Sequence, residues 1–319
     1  MHIVVSLHNR EGKAFMGKKK FDVVVVGRAC IDHLCVVDQY PDEDVKMPMS
    51  ARLVEGGGQG ATAACCVARL GGTVAYVGCL GDDGEGLFCR KRLDEFGVNT
   101  SYTHIIPGGR TPYAYVFITG TSGRRTIIYE PGMLPAVELD HSLSDLFMHA
   151  GAILLGPQAT NLAAPLMKKD SLPPVVYDCE RSRAGLEDMM GCADHFIPHY
   201  GFLEQEGLPI RGSSKRERII SLAGMVKGCL IVTDGEHGAY YLNGESLVQV
   251  HPPAVRVRDT TGAGDNFHGA YALALSRGFD LHAAVCFAVS TASLSCREYG
   301  GRAGIPDYEE AVEVMKMVR

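Results

Sequence analysis

The amino-acid sequence predicts an α/β fold in which helices cover a mainly parallel β-sheet. Short runs of β-branched residues alternate with helical patterns, beginning with Phe21–Gly27 and Ala61–Leu70. Such alternation is typical of βαβ units, which pair their strands in parallel. The chain has 319 residues, of which 46% are hydrophobic, enough to bury a sizeable core. No repeat with a period of about 20 to 50 residues is evident, so we expect one continuous α/β core.

The same signals continue along the chain. A strand is predicted at Val74–Gly78, and the helix near Glu85–Phe96 ends at Gly97, a residue type that favours helix C-termini. Four later apolar runs are predicted to be buried strands: Ala152–Gly156, Val175–Asp178, His195–Pro198 and Cys229–Thr233. The last of them is followed by the turn Asp234–Gly238. These elements extend the predicted sheet.

Two segments break this alternation. In Val36–Val54 and Arg110–Tyr129 polar and apolar residues alternate, and the second segment contains a hairpin turn at Thr121–Arg125. That pattern favours antiparallel strands, which we expect to meet as a small β-sheet lid over one edge of the core. The predicted boundaries are an α/β core of residues 21–37, 55–109 and 130–319 and a β lid of residues 38–54 and 110–129. Residues 1–20 are predicted to be an N-terminal extension that either is not part of the native protein or is disordered.

Composition and charge argue against several classes of function. With 31 Lys and Arg residues against 37 Asp and Glu residues, the formal net charge is −6, whereas nucleic-acid-binding domains are usually basic. The apolar stretches are far shorter than the roughly 18 residues that cross a bilayer. Eleven cysteines lie scattered without metal-ligand spacing, which indicates reduced thiols and no structural zinc. We therefore expect a cytoplasmic protein with neither a nucleic-acid nor a membrane partner.

The most informative run is Asp259-Thr260-Thr261-Gly262-Ala263-Gly264-Asp265. Apolar positions spaced by three and four residues follow it, so a helix is predicted to start at about Gly264. Glycines at a helix N-terminus leave backbone N–H groups free at the positive end of the helix dipole, where phosphate oxygens are stabilised. Asp265 in the first turn would then reach both that phosphate and an attacking hydroxyl, as a general base must. Helix capping alone would also explain such a pattern.

The whole run Asp259–Tyr271 resembles the C-terminal signature of the ribokinase-like (PfkB) sugar kinase family. The resemblance implies a ribokinase-like three-layer αβα sandwich with a mainly parallel central sheet and a small β-sheet lid. It also implies ATP-dependent phosphorylation of a hydroxyl of a small sugar or sugar derivative, with ATP and Mg²⁺ as cofactors. In that family the aspartate at the position of Asp265 is the catalytic base, and the amides of Gly262, Ala263 and Gly264 form the anion hole.

A second run that resembles the family is Gly56–Ala64, which opens a predicted helix. Consecutive glycines let backbone amides approach a ligand closely because no Cβ intervenes. Many members carry Asn where this chain has Thr62, which shortens the polar reach. Asp32 stands just after the first strand, where the family places an aspartate that accepts hydrogen bonds from two sugar hydroxyls. The residues that the resemblance assigns to the sugar, besides Asp32 and Asp265, are Gly57, Gly58, Gln59 and Thr62.

The resemblance also assigns the nucleotide and cation sites. The residues that it assigns to ATP are Thr233, Gly235, Gly238, Gly262 and Gly264. Asp259 and Thr261 match the family's monovalent-cation loop, which implies a site for K⁺. One departure concerns magnesium: the family's N-x-x-E, which supports the metal through water, is replaced here by His199-Tyr200-Gly201-Phe202.

Within the family the chain is most similar to the sulfofructose-kinase-like branch, through its triple glycine, Ala61–Ala64 and Gly300–Pro306. That branch binds a sugar sulfonate with a lysine at the position of Lys46 and an arginine at that of Gln158. A lysine supplies a compact positive charge, but a glutamine lacks the charged fork that grips an anion. We therefore predict a neutral sugar, a ketose or pentose.

Two other functions remain open at this stage. The turn Gly56–Ala61 formally matches a dinucleotide-binding turn, which would indicate an NAD(P)-dependent oxidoreductase. A catalytically weak sugar or nucleotide sensor of the same fold would explain the missing N-x-x-E. For the kinase, the expected partners are the sugar, ATP and a second copy of the chain, in a homodimer formed through the lid.

Overall fold

The computed structural model describes residues 19–169 and 171–318. Its largest sheet has eight strands, six of them parallel, with an antiparallel hairpin at one edge. In chain order the strands of this part of the molecule are β1 Phe21–Val26, β2 Cys30–Val37, β3 Ala51–Gly57, β4 Val74–Val77, β5 Cys79–Gly81, β6 His104–Ile106, β7 Tyr113–Thr119, β8 Arg125–Glu130, β9 Ala150–Leu155, β10 Val175–Cys179, β11 His195–Pro198, β12 Cys229–Thr233, β13 Ala239–Asn243 and β14 Ser246–Val250. The large sheet has the order β14-β13-β12-β11-β10-β9-β1-β4.

Helices cover both faces of this sheet. In chain order they are α1 Gln59–Arg69, α2 Gly84–Glu95, α3 His141–Met148, α4 Ala163–Leu166, α5 Leu186–Cys192, α6 Lys215–Ala223, α7 Ala263–Ser276, α8 Leu281–Ser295 and α9 Tyr308–Met315. Four of them begin at an aspartate whose side chain accepts a hydrogen bond from a first-turn N–H group, which stabilises a helix start: Asp83, Asp140, Asp280 and Asp307.

Strand β1, which lies between β9 and the edge strand β4, is buried on both faces. Val23 and Val25 pack into an apolar cluster with α1, α7 and α8, whereas Val24 and Val26 pack into a second cluster with α3, α5 and α6. Consecutive side chains of a strand point to opposite faces, so the two clusters are the two helical layers seen from one strand. The predicted three-layer αβα sandwich is therefore confirmed.

A separate four-stranded sheet has the order β3-β2-β7-β8. Its buried face packs on a small apolar cluster formed by Leu34, Val36, Ala114, Val116 and Ile118. β2 belongs to this sheet, although the sequence analysis placed residues 21–37 in the core. Val36–Val54 is not one alternating strand either, because residues 38–50 form no strand and contain Pro41 and Pro48, which lack an N–H donor.

Most core elements lie close to their predicted positions, and β11 and β12 match residue for residue. Of the predicted N-terminal extension, residues 1–18 lie outside the described residues. None of the eleven cysteines forms a disulfide. Within residues 19–169 and 171–318, every helix is too short or too polar to cross a bilayer.

Candidate active site

Polar residues collect at the edge of the central sheet where its parallel strands end. Asp178 is the penultimate residue of β10, and Thr233 is the last residue of β12. His268, in the second turn of α7, lies with Nε2 3.3 Å from the carbonyl oxygen of Ile197 near the end of β11. In open α/β sheets this edge is where ligands bind. The N-terminus of α7 therefore lies at the expected place for a site.

The backbone at the start of α7 allows a close approach by neighbouring backbone and by a ligand. Gly262 precedes the helix with a φ of 72°, and a Cβ there would lie 2.6 Å from the Cα of Gly301, so only glycine fits. Among the described residues, no side chain caps this helix. The N–H of Ala263 donates to the carbonyl oxygen of Thr260 at 3.3 Å, whereas the N–H groups of Gly264 and Asp265 have no partner among the described residues and can bind an anion. An added Cβ at Gly264 would meet nothing within 4 Å, so the turn borders open space.

Asp265 lies in the first turn of α7. The pKa of its carboxyl is raised to about 7, first by burial and then by the nearby carboxylates of Asp178 and Asp32, while His268 and Arg125 act in the opposite direction. A carboxyl group with a pKa near neutrality can accept a proton efficiently from a hydroxyl at physiological pH. The predicted base therefore lies in surroundings that suit proton transfer.

The loop before α7 is organised by the buried carboxylate of Asp259. It accepts hydrogen bonds from the N–H of Thr261 at 2.9 Å, from the Thr261 hydroxyl at 2.7 Å and from the N–H of Gly300 at 2.8 Å. Among the described residues, no basic side chain forms an ion pair with Asp259. A buried negative charge without a cationic side chain is a suitable environment for a small cation.

Asp32 lies on β2 against the glycine turn that opens α1. A Cβ at Gly57 would overlap the Asp32 carboxylate, so glycine is required for this approach. The thiol of Cys30 donates a hydrogen bond of 3.2 Å to Oδ1 of Asp32. Burial raises the pKa of Asp32, and the charge of Arg302 acts against that rise. The aspartate and the glycine turn therefore lie in direct contact.

Arg302 is a buried residue of this region that sequence reasoning missed. It is 3% exposed and donates from Nη2 to the carbonyl oxygen of Gly57 at 2.9 Å and from Nε to Oγ1 of Thr62 at 3.4 Å. Thr62 thus directs its hydroxyl at this guanidinium. The run Gly300–Pro306 was visible in the sequence, but nothing in it indicated that Arg302 reaches the glycine turn.

The second sheet contacts the α7 loop directly. Gly123, in the hairpin between β7 and β8, has its carbonyl oxygen 3.4 Å from the Thr260 hydroxyl. Arg125, the first residue of β8, donates a hydrogen bond to the same hydroxyl. Sequence reasoning placed Arg125 in a hairpin turn and gave it no role, because its partner is more than a hundred residues away.

In the turn that the resemblance assigns to ATP, Thr233 ends β12 and Gly238 follows the short 3₁₀ helix Gly235–His237. The intervening Asp234 forms an ion pair with Lys215, whose ammonium group also lies 4.7 Å and 4.9 Å from the ring centroids of Tyr200 and Tyr240. Lys215, the first residue of α6, therefore links that helix to the turn Asp234–Gly238. The sequence offered no signal for this contact.

Other predicted residues are not brought to this edge by any contact in the described structure. Lys46 is exposed in the irregular segment 38–50. Gln59 is the first residue of α1, and Gln158 follows β9 with its Oε1 buried and without a hydrogen-bond partner.

At the positions of the family's N-x-x-E, His199 offers no carboxylate or amide oxygen and Phe202 is fully buried among apolar side chains. Those two positions do not fit the family's role of supporting magnesium.

The oxidoreductase alternative is disfavoured by the position of the glycine turn. A dinucleotide-binding turn follows a strand of the central parallel sheet. Gly56 instead lies in β3, which belongs to the four-stranded sheet and pairs antiparallel with β2. The strand before the turn is therefore not part of the parallel sheet, as a dinucleotide-binding βαβ unit requires.

Comparison with known proteins gives a consistent result. Residues 20–308 match the family model described as pfkB family carbohydrate kinase. The chain is 27% identical to a ribokinase of Arabidopsis thaliana, covering 97% of this chain and 84% of the relative, and 28% identical to a deoxyribokinase of Salmonella typhi, covering 93% and 99%. The solved structure of Arabidopsis thaliana ribokinase complexed with ribose and ATP superposes with a TM-score of 0.74 at 26% identity, covering 93% and 99% of the two chains.

Proposed function

The chain belongs to the pfkB family of carbohydrate kinases, and we propose that it transfers the γ-phosphoryl group of ATP to a hydroxyl of a small neutral sugar, with Asp265 as the general base. The observation that carries this proposal is the half-buried Asp265 in the first turn of a helix that no described side chain caps, with its pKa raised to about 7. Release of ADP from ATP in the presence of a panel of sugars tests it.

In this proposal each part of the site has one task. The N–H groups at Gly262, Ala263 and Gly264 stabilise the negative charge on the transferred phosphoryl group. Asp265 takes the hydroxyl proton as the new O–P bond forms and the bond to the ADP oxygen breaks. The turn at Thr233, Gly235 and Gly238 holds the nucleotide, together with Gly262 and Gly264.

The sugar lies, in our proposal, against Asp32 and the turn formed by Gly57, Gly58, Gln59 and Thr62. An ionised carboxylate only accepts hydrogen bonds, so it suits two hydroxyl donors. The four-stranded sheet, with residues 38–54 and 110–129 as its outer part, acts as a lid that excludes water from the reaction. Without such exclusion, water would compete with the sugar as phosphoryl acceptor.

A neutral sugar is supported by the residues that would meet an anion. Lys46 is exposed and has no contact with the site in this structure. Gln158 is uncharged, so it lacks the charged fork of an arginine that grips an anionic group. Membership of the sulfofructose-kinase-like branch would require Lys46 to act on the substrate. The relatives named ribokinase and deoxyribokinase act on neutral pentoses by those names, which is consistent with our proposal.

The cations are also proposals. Because His199 and Phe202 do not supply the family's N-x-x-E, we expect Mg²⁺ to arrive with the ATP phosphates and to keep most of its waters. The buried carboxylate of Asp259, with the loop at Thr261, is the expected site of a monovalent cation such as K⁺. That cation would order the loop leading to the anion hole.

A homodimer through the lid is supported by an exposed apolar row across the outer face of the four-stranded sheet. Val54, His33, Tyr115 and Ile128 are paired neighbours on successive strands. Tyr115 is 45% exposed and Ile128 is 55% exposed, an arrangement typical of interaction surfaces. Analytical ultracentrifugation of Ile128→Glu beside the wild type tests it, with loss of the dimer expected. In a cell we expect the reduced cytoplasmic setting that eleven free thiols favour.

A further inference from the structure

The guanidinium of Arg302 binds the glycine turn that opens α1. Its Nη2 donates a hydrogen bond of 2.9 Å to the carbonyl oxygen of Gly57, and its Nε donates one of 3.4 Å to Oγ1 of Thr62. A Cβ at Gly56 would overlap the same guanidinium. Since a guanidinium is planar, always protonated and only a donor, the direction of both hydrogen bonds is fixed. Arg302 therefore bonds to two residues of the turn and packs against a third.

The loop that carries Arg302 is itself fixed at the two preceding residues. The N–H of Gly300 donates to the Asp259 carboxylate at 2.8 Å, and the carbonyl oxygen of Gly301 accepts from Nδ2 of Asn266 at 2.9 Å. Asp259 and Asn266 are both buried, and they flank the proposed anion hole in the sequence. Arg302 thus connects the loop around α7 to the glycine turn of α1.

Arg302 and Asp32 contact the same glycine. The Asp32 carboxylate lies so close to Gly57 that a Cβ there would overlap it, while Arg302 bonds to the carbonyl oxygen of Gly57. Burial raises the pKa of Asp32, whereas the hydrogen bond from Cys30 and the charge of Arg302 lower it. An ionised carboxylate is the form that accepts hydrogen bonds from two hydroxyl groups. The position and the charge of Arg302 therefore both favour the proposed sugar contact.

The stability of the fold does not explain an arginine at this position. Arg302 is 3% exposed, and its Nη1 is buried without a hydrogen-bond partner. Within residues 19–169 and 171–318 it forms no ion pair with a carboxylate. Burying a charge that is neither paired nor fully hydrogen-bonded costs free energy, so stability alone would favour an apolar side chain. What the arginine does for the turn is the better explanation.

Thr62 directs its hydroxyl away from open space. The residue is 2% exposed, and its Oγ1 accepts from Arg302. Its Cγ2 lies 3.3 Å from where a Cβ would stand at Gly262 and 3.3 Å from where one would stand at Gly301, so its methyl group packs toward the backbone of both. The Thr62 side chain therefore supports the turn from its buried side, and its hydroxyl is not placed to bond a sugar directly.

We propose that Arg302 is a positioning residue for the sugar, which binds the carbonyl of Gly57 and the hydroxyl of Thr62 and so fixes the turn against which Asp32 lies. This inference rests on the proposed kinase function, and it deepens that function by giving the Thr62 side chain an indirect role. Arg302 neither gives nor takes a proton and touches no reacting atom. Its loss should therefore weaken sugar binding and leave ATP binding intact.

The first test uses the protein without substrates. In Arg302→Met, amide hydrogen exchange over residues 56–62, measured by mass spectrometry, is expected to be about tenfold faster than in the wild type, the scale of one lost hydrogen bond. Arg302→Lys keeps the charge without the planar fork and should show a smaller increase, so it serves if Arg302→Met does not fold. Unchanged exchange over residues 56–62 in a folded variant overturns the proposal.

Arg297→Met is the matched control for this test. Arg297 lies five residues before Arg302 and also bonds to a backbone carbonyl, that of Leu294 at 2.9 Å, but its second partner is Glu310 at 2.7 Å, in α9. Exchange over residues 56–62 should stay at the wild-type rate in this variant. An equal increase in Arg297→Met would mean that any loss of an arginine in this region loosens the turn, and the proposal would be wrong.

The second test is kinetic and separates positioning from a damaged fold. In Arg302→Met the KM for the preferred sugar is expected to rise roughly 10- to 100-fold, the scale of a lost hydrogen bond to a charged group, while the KM for ATP stays within about twofold. A damaged fold would lower kcat through loss of active protein and leave both KM values unchanged. That result would contradict the proposal.

A double-mutant cycle tests whether Thr62 acts through Arg302. Thr62→Val removes the hydroxyl and keeps the shape, so alone it is expected to raise the KM for the sugar about three- to tenfold. In the Arg302→Met background it should have no further effect, because the two residues share one interaction. An equal further rise in that background would mean that Thr62 binds the sugar directly, which contradicts the proposal.

The two proposals can fail separately. If the wild type phosphorylates no sugar, the proposed function fails, and the exchange rates over residues 56–62 still decide whether Arg302 fixes the turn. If the wild type is a sugar kinase whose KM for the sugar is the same in Arg302→Met, the proposed function stands and the proposal for Arg302 is wrong.

Discussion

The guanidinium of Arg125 donates a hydrogen bond of 2.8 Å to the hydroxyl of Thr260. The first residue lies on the four-stranded sheet and the second in the loop that leads to α7. This contact joins the proposed lid to the proposed anion hole. It also brings a positive charge near Asp265, where it favours the ionised carboxyl.

We predict that Arg125→Ala lowers kcat by roughly 10- to 100-fold, the scale of one lost charge-assisted hydrogen bond of about 1.5 to 3 kcal/mol. Steady-state measurement of ADP release gives kcat and the KM for ATP and sugar. Arg124→Ala is the matched control, because Arg124 is the exposed neighbour in the same hairpin. Equal values of kcat in the two variants would show that Arg125 does not contribute to turnover.

The raised pKa of Asp265 also has a consequence for stability. Between the usual carboxyl pKa of 3.8 and about 7, the folded protein binds more protons at this residue than the unfolded chain. Its contribution therefore makes the folded state less stable as pH rises through that window, by up to about 4 kcal/mol.

Asp265→Asn removes the destabilising contribution of the ionised carboxyl, so we predict that the variant has a higher free energy of unfolding than the wild type at pH 8. The difference should narrow as pH falls toward 4, where the wild-type carboxyl is protonated. Urea unfolding at both pH values measures it, with Asp38→Asn on the exposed surface as the control. A variant that is less stable than the wild type at pH 8 would contradict the burial of a charged Asp265.

K⁺ is predicted to activate the enzyme, because a cation beside the buried Asp259 carboxylate would order the loop from Thr261 to the anion hole. Rates in potassium chloride and tetramethylammonium chloride at equal ionic strength make the comparison, since tetramethylammonium is too large for such a loop. Equal rates would mean that the hydrogen bonds from Thr261 and Gly300 to Asp259 suffice on their own.

For the substrate, we predict a preference for neutral ketoses or pentoses over sulfofructose, measured by kcat/KM across a panel of neutral sugars, sugar acids and sulfofructose. Lys46→Ala should leave the best neutral substrate unaffected, as should the control Arg52→Ala on the exposed side of β3. A preference of a hundredfold or more for the sulfonated sugar, abolished by Lys46→Ala, would contradict this prediction and indicate that the chain belongs to the sulfofructose-kinase-like branch.

Much of the core could be predicted from the sequence because parallel strands buried on both faces are continuous apolar runs with clear ends. Cys229–Thr233 is such a run, and the turn after it carries glycines. β2 could not be placed, because Cys30–Val37 is as apolar as a core strand. Only its pairing with β3 and β7 assigns it to the second sheet.

The candidate site likewise contains residues whose proximity could be predicted from the sequence and residues whose proximity could not. Asp265 and the glycines before it form a contiguous run, so their proximity follows from a single helix start. Arg125 and Arg302 gain their partners only through folding, and the hydrogen bond from Arg302 to Gly57 joins residues 245 positions apart. No local pattern in the sequence carries that information.

The measurement that tests the central claim most directly is the turnover of Asp265→Asn beside its affinity for ATP. Asparagine keeps the shape of the side chain but cannot accept the hydroxyl proton. We predict that kcat falls by roughly 10² to 10⁴, the scale of general-base catalysis, while ATP binding measured by calorimetry persists. Near-normal turnover by this variant, with the sugar that the wild type prefers, would contradict the assignment of Asp265 as the base.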